Sequence, residues 1–213
     1  MKSGKVSGGK KSKAVDASNV VLWLTPAGGS APSSPAHRDS PRLRLVQKNK
    51  SFEPHVMAVT VGSVVQFPNR DPFFHNVFSL FEGKRFDLGL YEAGSTRDLL
   101  FDKPGISYIF CNIHAEMSAV VVAVETPYYG ISDRRGQVEI PNVPAGRYTL
   151  RLWYEASTPE LLKSMTREVT VSAAAPTLGL LRLPAAAEPQ AHKNMYGHDY
   201  PPPTPDSSTY ERP

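Results

Sequence analysis

Apolar and polar positions along this chain alternate in short segments broken by Gly, Pro, Asn and Asp, a pattern that predicts strands rather than helices. Residues 20–24, Val-Val-Leu-Trp-Leu, open the pattern. Strands are then expected over 43–47, 56–61, 64–67, 86–90, 97–101, 105–110 and 119–124. The last of these, Ala-Val-Val-Val-Ala-Val, is apolar throughout and suits a sandwich core. A second group follows: 132–140 reads as a turn feeding a strand, 147–154 alternates as a half-buried strand does, and 168–172 and 178–183 end the pattern. Thr158 and Pro159 have the residue types of an N-cap and first helical position, and predict a short helix through Met165.

Between these groups the composition shifts. Residues 1–18 are rich in Lys, Gly and Ser and are expected to be a flexible basic terminus, with a short edge strand available around Val6. Residues 25–41 hold too few apolar side chains to bury themselves and read as a linker. From 184 to 213 the chain is proline-rich and polar, which predicts disorder, and His192 and His198 lie there without the companions a metal site needs.

The 213 residues carry a formal charge of +4, concentrated in Lys2, Lys5, Lys10, Lys11 and Lys13 and again in Arg38, Arg42, Arg44, Lys48 and Lys50. No aromatic-interleaved module accompanies these bases, so nucleic acid is not the expected partner; a docking surface for an acidic redox protein is. A single cysteine excludes an internal disulfide. No run is long enough to span a bilayer and no secretory apolar region precedes the first strand, which taken literally reads as a cytoplasmic chain; the opening Met1-Lys2-Ser3-Gly4 is equally compatible with a mature form or a missing leader.

That cysteine carries the chemistry. Cys111 is followed at three-residue steps by His114 and Met117, between two strand-like flanks, and His75 ends a segment after the valine-rich run 61–67. Thiolate and thioether suit Cu(I), imidazole suits both copper states, and a His₂Cys set with a long axial Met serves one-electron transfer. So short a loop cannot surround an ion, so a distant strand must deliver the remaining ligand. Taken singly, each residue is more commonly a packed core or surface side chain. Zinc fits less well because its structural sites take Cys and His rather than thioether. A Cys–His nucleophile lacks a group to orient the base.

The segment from 43 to 124 resembles a cupredoxin, on Val61-Gly62-Ser63-Val64-Val65-Gln66-Phe67, Asn69, His75-Asn76-Val77 and residues 105–117, and its Cys111, His114, Met117 loop is most similar to amicyanin. The wider pattern is similar to bacterial plastocyanin-like proteins of the methylamine-utilisation type. The resemblance implies an all-β fold, a Greek-key cupredoxin sandwich of eight strands over 42–125, holding one type 1 copper ion through His75, Cys111, His114 and Met117. It also implies that Asn76 ties the two ligand loops together by hydrogen bonds, and that the protein works outside the cytoplasm, in the periplasm or extracellularly. Asn112 and Ile113 depart from the Thr-Pro or Ser-Pro that usually follows the cysteine. Residues 133–183 resemble a transthyretin-like or carboxypeptidase-regulatory-like sandwich, through Asp133-x-x-Gly136 and Val143-Pro144-x-Gly146-x-Tyr148; such small Ig-like β-sandwiches imply a spacer or adhesive role.

With the cupredoxin pattern complete, residues 20–24 are surplus to it. An apolar strand needs backbone partners, so 19–24 is expected to join 126–183, making the cupredoxin an insertion; adding an edge strand to the cupredoxin is the alternative. The leading functional expectation is a non-enzymatic one-electron carrier that works with a redox partner such as a cytochrome or dehydrogenase. Copper sequestration or delivery, and a structural surface protein with a vestigial copper site, are the alternatives.

Overall fold

The computed structural model describes residues 16–28, 43–80, 82–174, 177–184 and 192–200. Most of the expected basic terminus, most of the 25–41 linker and parts of the proline-rich tail lie outside the described residues, as does the short strand around Val6.

Two sheets form the first sandwich. One holds β2 (Leu43–Arg44), β6 (Ser63–Pro68) and β9 (Thr96–Phe101) in the order β2-β6-β9. The other holds β5 (Val56–Thr60), β7 (His75–Ser79), β8 (Phe86–Tyr91), β10 (Gly105–Cys111) and β11 (Ser118–Val124) in the order β5-β11-β10-β7-β8. A small pair, β3 (Val46–Gln47) and β4 (Phe52–Glu53), lies beside them. Inward-facing Val65, Phe67 and Phe101 meet Met57, Val59, Val77, Tyr91, Ile109, Ala119, Val121 and Ala123 in one core, and Cys111 and Met117 belong to the same cluster.

The apolar run at 119–124 has a further cause. Its alternate residues Ala119, Val121 and Ala123 face the sandwich core, while Val120, Val122 and Val124 pack outward with Val56 and Ala58 against Val21, Trp23 and Trp153. A strand covered on both faces has no position left for a polar residue. Each valine so buried contributes roughly 1.5–2 kcal/mol.

Trp23 and Trp153 come from a third sheet. It consists of β1 (Val21–Pro26), β12 (Tyr129–Ile131), β13 (Gly146–Trp153) and β14 (Arg167–Val171) in the order β12-β1-β13-β14. β1 is central, antiparallel to β13 from Val21↔Trp153 to Pro26↔Tyr148 and to β12 from Val21↔Ile131 to Trp23↔Tyr129. Its odd positions face the first sandwich; its even positions Leu22 and Leu24 join Tyr148, Leu150 and Leu152 on the opposite face. That face is covered by helix α1 (Pro159–Met165) and by extended segments contributing Val138, Ile140, Leu178, Leu181 and Leu183. Among the described residues the unit thus has one sheet, with a helix and extended segments where a two-sheet sandwich would place its second layer. The strands expected at 138–140 and 178–183 are not formed: both segments lay apolar side chains on the core without joining a ladder. Residues 129–131 form β12 instead, and Gly130 is required there, because a Cβ would stand 2.2 Å from the Glu139 carbonyl oxygen. The helix begins as its residue types direct, with Leu161 N–H donating to Thr158 Oγ1 at 3.3 Å and Pro159 in the first turn.

Residues 192–200 also depart from expectation. Composition predicts disorder, yet they form a turn that packs on the end of β10 through Phe110, Cys111 and Asn112.

Candidate metal centre

Four potential donors meet at one end of the first sandwich. Cys111 is the last residue of β10 and His75 the first of β7, and the two strands are neighbours paired at Phe110↔Phe78 and Cys111↔Val77. His114 and Met117 lie on the loop from β10 to β11. That loop is tied to itself, Met117 N–H donating to the His114 carbonyl at 3.2 Å and Cys111 N–H to the Met117 carbonyl at 3.3 Å.

Cys111 Sγ lies 3.6 Å from His75 Nδ1 and 3.5 Å from His114 Nδ1. Among the described residues these three are the only cluster of its kind, with all three ligand atoms within 4.8 Å of one another. Three donors placed trigonally at bond lengths of about 2.0–2.3 Å stand roughly 3.5–4 Å apart, so the spacing accepts an ion with little rearrangement. Cys111, His75 and Met117 are fully buried and His114 is half-buried. Two imidazoles, a thiol and a thioether held in a dry core end are the donors of a type 1 copper site.

The second nitrogen of His75 is also determined. Its Nε2 is 2.9 Å from Asp71 Oδ2, deep inside the molecule. Nε2 donates to the carboxylate, which leaves the Nδ1 lone pair directed at the ligand cluster. Burial would raise the Asp71 carboxyl, but backbone N–H groups of Lys50 and Asn49 together with His75 outweigh it and hold the group below its usual range. Asn49 and Lys50 both sit in left-handed backbone (φ 55° and 52°), which turns their successive N–H groups onto Asp71 at 2.6 and 3.0 Å. Asn69 shapes this turn, accepting from Asp71 N–H at 3.0 Å and donating to the Phe73 carbonyl at 2.8 Å.

Both imidazoles are held neutral. Burial lowers His75 against the pull of Asp71; burial, then His75 and Lys50, bring His114 down to about 4. Burial raises the Cys111 thiol, opposed by the backbone N–H groups of Ile113, Asn76 and His114. The departure from proline at 113 therefore has a consequence, since only a residue with an N–H can favour the thiolate there. The link between the two ligand loops runs through Asn76 backbone: Asn112 N–H donates to the Asn76 carbonyl at 2.9 Å, while the Asn76 side chain donates to Asp87 at 2.6 Å.

Sequence reading missed three participants. Asp71 was available as a carboxylate four residues before His75 in Asn69-Arg70-Asp71-Pro72, although local sequence does not say which way it faces. Phe73 packs on both imidazoles, with ring centroids 5.4 Å from His75 and 5.3 Å from His114. Residues 192–200 gave no local signal.

No family model matches the chain, and no curated protein matches it. Among solved structures it is similar to a purple cupredoxin from Nitrosopumilus maritimus, at 19% identity over 38% of this chain and 98% of that one (TM-score 0.35). It is similar to a reduced mutant of amicyanin at 19% identity over 47% of this chain and 90% of that one (TM-score 0.36). It is also similar to a copper-containing nitrite reductase from Thermus scotoductus SA-01, at 24% identity over 40% of this chain (TM-score 0.38), and spans only 23% of the reductase. The two-sheet unit from β2 to β11 is a β-sandwich that carries His75 at the start of β7 and the other three donors at the end of β10 and on the loop after it.

Proposed function

We propose that this protein is a one-electron carrier in which His75, Cys111, His114 and Met117 would hold a copper ion. The convergence of two Nδ1 atoms on one buried Sγ carries this reading. Copper would supply the Cu(II)/Cu(I) couple. The protein's own contribution is rigidity: Asp71 fixes one imidazole, the Asn112-to-Asn76 bond joins the loops, and β7 and β10 hold two donors in adjacent strands. Donors that cannot move keep the rearrangement between oxidation states small.

The half-buried His114 is the port for electrons. Its Nε2 makes no hydrogen bond among the described residues, its ring is packed by Phe73, and its loop neighbours Ile113 and Ala115 are exposed. An apolar rim of this kind suits transient docking of a redox protein. Turnover of a substrate is not part of this role, and a periplasmic or extracellular location fits a lone buried thiol that copper would protect. No helix among the described residues is long and apolar enough to cross a membrane. The 42–125 unit is proposed as an insertion in a second unit made of 19–24 and 126–183, a reading supported by the central place of β1.

Titration with Cu(II) tests the function. One equivalent should give an intense visible thiolate-to-copper band that bleaches with a mild reductant and returns on reoxidation. Colour persisting in Cys111→Ser rejects the ligand set, and loss of copper on each reduction cycle favours delivery over electron transfer.

A further inference from the structure

The segment from His192 to Tyr200 is held to itself before it is held to anything else. Asn194 N–H donates to the His198 carbonyl at 2.9 Å, Gly197 N–H to the Asn194 carbonyl at 3.0 Å, and the Asn194 side chain accepts from Tyr196 and His198 N–H at 3.0 Å each. Gly197 supplies the positive φ of 78° that closes the turn. A turn so closed presents its remaining groups in a set geometry.

Three of those groups meet the ligand loop. The Tyr200 hydroxyl donates to the Cys111 carbonyl at 2.6 Å, Met195 N–H donates to Asn112 Oδ1 at 3.0 Å, and the His192 ring lies 4.2 Å from the Phe110 ring at 31°. His192 and Tyr200 brace each other, with Nδ1 and hydroxyl 3.3 Å apart and rings at 84°. The contacts fall on three successive residues, 110 to 112, whose middle member is the proposed thiolate ligand.

The chemistry at each contact is specific. Cys111 is fully buried at a strand end, and a buried carbonyl without a donor costs about 1–3 kcal/mol; Tyr200 supplies that donor. Asn112, the residue that departs from the usual Thr or Ser, is the one whose side chain receives Met195. His192 Nε2 is buried with no partner among the described residues.

We propose that residues 192–200 are a clasp on the copper loop and that Tyr200 is a positioning residue for Cys111, holding its peptide so that the sulfur stays aimed between His75 and His114. The clasp presets the loop in the metal-free protein and slows metal loss afterwards. The inference rests on the copper reading for its second half only.

The test uses the full chain carrying Tyr200→Phe, which removes one hydroxyl, and separately His192→Ala. In metal-free protein, amide exchange at Cys111, Asn112 and Met117 should rise about 3- to 10-fold in each variant, the effect of losing one modest interaction, with β11 amides unchanged. In copper-loaded protein, release to a chelator should quicken by a similar factor, and the reduction potential of Tyr200→Phe should fall because a positive hydroxyl dipole near the thiolate is gone. Loop amides exchanging at the wild-type rate in both variants overturn the clasp. A loosened loop whose copper leaves at the wild-type rate and potential overturns the positioning role. If wild-type protein takes up no copper, the copper reading fails, and the exchange measurement still decides the clasp.

Discussion

Asp71 and His75 are joined by a 2.9 Å contact between Oδ2 and Nε2, with side chains 4% and 0% exposed. A carboxylate this close to a ligand imidazole favours the more highly charged oxidation state of the ion. Asp71→Asn keeps a hydrogen-bond acceptor but removes the charge, so the reduction potential should rise. At an effective dielectric near 20 the change is on the order of 1–2 kcal/mol, or roughly 40–90 mV for one electron. Voltammetry of the variant decides; a fall, or no change, shows that the Asp71 charge is not felt at the metal.

Ile113, next to His114 in the ligand loop, is 37% exposed. Ile113→Lys places a desolvation cost in any docked complex while keeping a backbone N–H at position 113. Electron exchange with an external partner should slow about tenfold, the effect of ~1.4 kcal/mol, with the visible band unmoved. Stopped-flow exchange at the wild-type rate would put the port elsewhere.

Ile113→Pro is the complementary change. It deletes the N–H that favours the Cys111 thiolate, making the sulfur a stronger donor to the oxidised ion. The potential should fall by the equivalent of about one hydrogen bond, ~1 kcal/mol. A rise would mean that the loop has rearranged or that this N–H does not act on sulfur.

His55 bridges the two units, with Nε2 2.8 Å from Glu155 and Nδ1 3.1 Å from the Ser118 carbonyl. The hydrogen bond to Glu155 raises the imidazole, with the Glu155 charge and Ser118 adding to it and burial opposing. Because the folded chain favours the protonated ring, this contribution is complete below the ordinary value of 6.5 and is lost as pH rises through the raised folded value. Both side chains are more than a third exposed, so screening limits it to ~0.5 kcal/mol. The stability difference between wild type and Glu155→Gln should shrink as pH rises through that window; a difference constant from about pH 5 to 8 removes the pair from the account.

The insertion proposal has a direct test. A chain beginning at Pro41 lacks β1 and leaves β12 and β13 without their shared neighbour. Copper binding should survive while residues 129–131 and 146–153 lose protection in hydrogen exchange. Protection equal to that of the full chain would show that 19–24 does not belong to that unit.

The chain's local patterns made its β-rich nature and the Cys111, His114, Met117 series legible, because alternation and three-residue spacing are properties of a few consecutive residues. The helix after Thr158 was legible for the same reason, its cap being made within one turn. Tertiary structure decided what pairs at a distance. The run at 119–124 is uniformly apolar whether one or both faces are covered, and only the docking of Trp23 and Trp153 shows that both are. Residues 138–140 and 178–183 have strand composition, yet they lie on the core by side chain alone and join no ladder. Asp71 becomes His75's partner because two left-handed residues from another loop turn their N–H groups onto it. Residues 192–200 look disordered in composition because their stability comes from Phe110, Cys111 and Asn112, groups that no local window contains.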